Sequence, residues 1–185
     1  MAISWSSLRS GALLVAFTVS ATTVRGQSCD LFVAALAAVS ADSRNTVLVD
    51  QTVIGIPQFA FRGYSSIRRG DTALARVAEP ALRSLNRERQ PIPECLAAEH
   101  HWKTIADSVL IPIFQAREGW AAFRARYGEG SQFALMSRPL IVGDTATIIV
   151  AIASGDLSGR GMLLQFVRDA TGNWVKRSEA QLWIS

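Results

Sequence analysis

The sequence predicts an α+β domain: N-terminal helices packed on a C-terminal antiparallel β-meander of about four strands, plus one early strand. Three observations carry this expectation. Apolar residues recur at helical spacing through much of the first two thirds of the chain. Strict alternation takes over in roughly the last fifty residues. The strands of that final part are separated by short connections, which suit antiparallel neighbours.

The 185 residues fit one domain, and 49% hydrophobic content is ample for a core. Arg9 followed by the apolar or small-residue run Gly11–Val24 and then Arg25-Gly26 reads as a secretory signal peptide over residues 1–26. The alternative is an uncleaved N-terminal anchor. Cleavage leaves 27–185 as a single globular domain, helical over 27–128 and meandering over 129–185. No other run approaches the ~20 apolar residues that span a bilayer. The expected product is soluble, and either secreted or periplasmic.

In the mature part, Asp30 is placed to cap an uncharged helix from Leu31 to Ala41. "NTVLVDQTVI" is β-branched and bounded by Asn45 and Gly55, so it reads as the early strand. "GIPQFAFRGYSSIRRG" has no clean period. From Asp71, residues Leu74, Val77, Ala78, Ala81, Leu82 and Leu85 follow helical spacing, and Pro80 predicts a kink or two short helices. Arg69, Arg76, Arg83 and Arg87 fall on the opposite face, as the solvated side of an amphipathic helix or a surface for an anionic partner.

"PIPECLA" reads as a turn. A helix is then expected around Trp102, Ile105, Ala106 and Val109, ending near Pro112. Another carries Trp120, Phe123 and Tyr127 at i, i+3 and i+7 as a core stripe and stops at Gly128. "QFALMSRPLIV", "TATIIVAIAS", "MLLQFVRD" and "WVKRSEAQLWIS" supply the four strands. Ala146, Ile148, Val150 and Ile152 form one inward face, and Met162, Leu164 and Phe166 another. "SGDLSGRG" between them is a hairpin connection, with Gly155, Gly159 and Gly161 supplying backbone freedom. Gly172 suits the left-handed position of the next turn.

The two cysteines, Cys29 and Cys95, form an even pair, and export predicts one disulfide between them. Joined in a disulfide, they are not available as ligands of a structural zinc site. The formal charge of +4 falls to +2 once Arg9 and Arg25 leave with the leader, which excludes a strong electrostatic case for nucleic acid.

Catalytic signatures are missing. Ser158 is flanked by Asp156 and Arg160 where a nucleophile elbow needs glycines. Gly159 and Gly161 open a strand, whereas a phosphate loop opens a helix. His100 and His101 are adjacent, diverge by about 100° on a helix, and cannot readily share a metal. No catalytic residue, metal ligand or cofactor is assigned.

The C-terminal third resembles an uncharacterised family of small exported bacterial proteins. The resemblance rests on order and spacing: Trp120, Phe123 and Tyr127; then Ser137-Arg138; then Gly159 and Gly161; then Gly172 and Trp174; then the closing Trp183-Ile184-Ser185. It implies export and a compact C-terminal sheet, and it carries no activity.

These readings lead to a non-enzymatic domain of the cell envelope that binds a small ligand or a partner protein. Its first candidate site is a polar rim of Arg138, Asp156, Ser158 and Arg160. The alternative is a hydrolase whose site is assembled in space from His100 or His101 and a carboxylate.

Overall fold

The computed structural model describes residues 24–42, 44–52, 68–69, 73–156 and 158–184. In chain order the elements are α1 (Val24–Ala38), β1 (Thr46–Val49), β2 (Arg68–Arg69), α2 (Ala73–Leu85), α3 (Cys95–Ala98) and β3 (Lys103–Ile105). There follow α4 (Asp107–Gln115), α5 (Trp120–Tyr127), β4 (Gln132–Met136), β5 (Leu140–Val142), β6 (Thr145–Gly155), β7 (Ser158–Arg168) and β8 (Trp174–Ile184). The signal-peptide reading of 1–26 falls almost wholly outside the described residues, as does most of the stretch Gly55–Gly70 that lacks a clean period, of which Arg68–Arg69 form β2.

The expected architecture is corrected. The described strands form one mixed sheet in the order β2-β8-β7-β6-β4-β1-β3, with β5 pairing β6 beside this path. The strands β4, β6, β7 and β8 run antiparallel, but β1 lies parallel to both β3 and β4. The N-terminal half thus contributes β1, β2 and β3 to the sheet itself, and its helices do not form a single layer on one face. All four residues of β1, Thr46 to Val49, are buried, the pattern of a strand covered on both faces.

The helices are short and split between the two faces. On one face, α1 residues Leu31, Phe32, Ala35 and Leu36 pack with Leu96 and Trp102 against Leu48, Ala134, Ile148, Val150 and Phe166. On the other, Leu110, Phe114, Trp120 and Phe123 pack against Val47, Val49, Phe133 and Leu135. A smaller cluster on that side joins Ala78 and Leu82 of α2 to Ile149 and Leu163. Strand β6 is accordingly buried from Ala146 through Ala153, on its odd as well as its even positions. The alternation expected from a one-sided sheet has no reason to appear when both sides are covered.

Several local expectations change with it. Helix α1 runs through Asp30, so this residue lies inside the helix and does not cap it. The segment expected as a helix around Trp102 is β3 followed by α4, because Val47, Leu48 and Val49 pair with Lys103, Thr104 and Ile105. Helix α2 is unbroken at Pro80. Among its described side chains Ala78 and Leu82 are buried, while Val77 is 78% exposed. Arg83 and Arg87 are exposed; the side chains of Arg69 and Arg76 lie outside the described residues.

The aromatic stripe of α5 is core, as its spacing implies. Trp120 stacks on Phe133 at 5.5 Å and 11°, and Phe123 meets the same ring edge-on at 5.9 Å. Gly128 ends the helix at φ 109° and Gly172 turns the β7–β8 hairpin at φ 87°, both backbone conformations that favour glycine. The latter turn is tied by Asp169, whose carboxylate accepts the Thr171 hydroxyl at 2.7 Å and the Asn173 amide at 2.9 Å. These bonds hold its pKa below the usual carboxylate value.

"QFALMSRPLIV" divides into β4 and β5, and Ser137 and Asn86 manage the break. Ser137 donates its amide to the Ile149 carbonyl, and its hydroxyl accepts the Ile149 amide at 2.9 Å. Asn86, at the end of α2, donates to the carbonyls of Leu82 and Arg138 and accepts the Arg138 amide. Ser137 is fully buried, so Ser137→Ala leaves the Ile149 N–H unsatisfied. The expected loss is about 1–3 kcal/mol in chemical denaturation; an unchanged midpoint would show that the side-chain bond contributes nothing.

Candidate functional site

The most informative cavity lies at the β6–β7 hairpin end of the sheet, on the face covered by α1. Its volume is about 270 Å³, and it is lined by Gln132, Ile152, Ser154, Ser158, Gly159, Arg160 and Ile184. Strand register assembles it. Ile152 pairs with Arg160, Arg160 with Ile184, and Gly155 with Ser158. Residues from four strands, far apart in the chain, therefore meet on one patch.

A bulge shapes the mouth. The pairing passes from Ala153↔Gly159 to Gly155↔Ser158, which leaves Ser154 as the extra residue. Bulges of this kind re-aim a side chain and interrupt the ladder. The Ser154 carbonyl instead accepts Arg124 of α5 at 2.9 Å. Its hydroxyl lies 2.9 Å from that of Ser158 and 3.3 Å from the Ser158 carbonyl. Alongside, Gln132 donates from Nε2 to the buried Thr46 hydroxyl at 2.9 Å, which turns its amide oxygen away from that bond and leaves it as an acceptor.

Arg160 supplies the charge. One guanidinium nitrogen donates to the Val39 carbonyl, just past α1, at 2.7 Å. This bond satisfies a carbonyl that the helix itself leaves without a partner and anchors the guanidinium beside the pocket. Ile152 and Ile184 give the site its apolar surface.

Of the four expected rim residues, the fold brings two together: Ser158 and Arg160 line the pocket. Asp156 sits exposed at the hairpin tip. Arg138 lies at the β4–β5 break, where its guanidinium donates to the Leu85 carbonyl at the end of α2. Gln132, Ser154 and Ile184 were not expected. Only register and the bulge bring them in, and neither leaves a mark in the local sequence.

Gly161 has a different role from the expected one. Neither Gly155 nor Gly161 has a positive φ, and the connection is confined to residues 156–157. Gly161 faces the Trp183 indole, and a Cβ there would overlap the ring.

The lining presents two hydroxyls, an amide and a guanidinium beside isoleucine surface. Neither serine of the pocket bonds to a histidine, lysine or carboxylate among the described residues, the partners that activate a hydroxyl nucleophile. His100 and His101 are exposed in the turn after α3, with His101 at φ 56°. Among the described residues no group of three or more His, Cys, Asp or Glu side chains is placed to hold a metal ion, and no helix is long and apolar enough to cross a membrane. Cys29 and Cys95 are joined as a disulfide, which ties α1 to α3. No protein-family model, curated protein or solved structure matches the chain significantly.

Proposed function

We propose that this protein is an exported, non-enzymatic binding domain whose small ligand occupies the hairpin-end pocket. The observation that carries the reading is the convergence of Ser154, Ser158, Arg160 and Gln132 on a cavity with isoleucine surface. Binding sites combine apolar walls with a few placed polar groups in this way. The Cys29–Cys95 disulfide supports a secreted or periplasmic compartment, because such bonds persist under oxidising conditions. Membership in the family of small exported bacterial proteins is part of the same proposal.

A thermal-shift screen of small envelope metabolites, run beside a pull-down from envelope extract, tests it. A ligand present at 100 times its Kd stabilises the folded state by about 2.7 kcal/mol, a readily measured shift. Negative results in both would end the binding reading. Turnover of an ester, glycoside or peptide that is abolished by replacing His100 and His101 would favour the hydrolase instead.

A further inference from the structure

We infer that the ligand of this pocket is a small monocarboxylate with a short aliphatic chain; the inference rests on the pocket being a binding site. Among the described residues Arg160 forms no ion pair with a carboxylate, and its one bond there is the single donation to the Val39 carbonyl. A guanidinium has five N–H donors, so most remain open beside the cavity.

That one bond also matters for recognition. It anchors a long side chain against the end of α1, so part of the ordering entropy of binding is already spent in the free protein. The fork geometry of arginine suits a carboxylate, which can accept two parallel N–H bonds. The Ser158 hydroxyl, 2.9 Å from that of Ser154, adds a neutral polar group on the same rim, able to donate or accept.

The remaining surface decides the rest of the ligand. Ile152 and Ile184 flank Arg160 across the strand register, so a chain leaving the carboxylate runs over isoleucine. A volume of about 270 Å³ is near the lower end for ligand pockets, which favours a short chain. A phosphate ester or dianion would find only one cation in the lining.

The test titrates pentanoate and pentanamide, near-isosteric and differing in charge, into the intact protein. Amide NMR shifts of Ser158, Gly159 and Arg160 provide the readout. Pentanoate is expected to shift these resonances saturably, with pentanamide at least about tenfold weaker, the usual scale for a hydrogen bond to a charged group. Arg160→Gln is expected to remove that preference, and Ser158→Ala to weaken pentanoate while leaving the preference in place. Because Arg160 also holds the Val39 carbonyl, the comparison of acid with amide on the unaltered protein stands without the variant. Equal binding of acid and amide would overturn the carboxylate inference and leave the pocket reading intact. No shift with either compound would overturn the inference; if the metabolite screen and the pull-down are also negative, the binding reading falls with it.

Discussion

Reduction of the Cys29–Cys95 disulfide is expected to lower the unfolding free energy by about 4 kcal/mol, from the chain entropy of a loop this long. The two cysteines are 66 residues apart in sequence. The bond joins the first part of α1 to α3, and α1 supplies Leu31, Phe32, Ala35 and Leu36 to one whole face of the sheet. Releasing that tether frees the element whose departure would expose Ile148, Val150 and Phe166. Against a typical domain stability of about 5–15 kcal/mol the loss is a large share. Urea denaturation with and without reductant, and of the Cys29→Ser/Cys95→Ser variant, measures it. Coincident curves would show that α1 holds its place by packing alone.

Gly161→Ala is expected to destabilise the fold by an amount near the top of the ~1–3 kcal/mol range for overpacking, and Gly161→Val by more. Gly161 pairs directly with Trp183 across β7 and β8, and the indole lies over the glycine where a side chain would stand. Trp183 is buried among Phe133, Ala151 and Ala153, so it cannot yield without uncovering that cluster or parting the strands. Replacing Trp183 with a smaller apolar residue in the Gly161→Ala background should recover part of the loss. Such non-additivity is the signature of a direct contact. Tryptophan fluorescence and denaturation midpoints for the two single variants and the double variant give the result; strictly additive losses would refute the contact.

The same pair shows where sequence reasoning stops. Gly161 reads locally as a turn residue, and no neighbouring position hints at Trp183, 22 residues later. Only the β7–β8 register supplies the reason. Pocket assembly follows the same logic. Ser158 and Arg160 were legible because they lie two residues apart beside a glycine-rich turn. Gln132 and Ile184 were not, since they reach the site through the pairing of β4 with β6 and of β8 with β7. Arg138 was expected on the rim of the site, whereas in the fold its guanidinium donates to the Leu85 carbonyl at the end of α2.

What the sequence by itself determined were the features that depend on neighbouring residues or on one long-range covalent link. These include the aromatic stripe of α5, the glycine that ends it, the left-handed Gly172, the pairing of the only two cysteines and the three long C-terminal strands. Each follows from local sterics, local periodicity or elimination. Only the tertiary structure decided the architecture. A four-residue apolar run such as Thr46–Val49 can be covered on one face or both, and a segment such as Lys103–Ile105 becomes a strand only when β1 offers it a parallel partner. Hydrogen bonds between distant strands and burial of both sheet faces are non-local energies, and they overrode the local period that had suggested a helical layer.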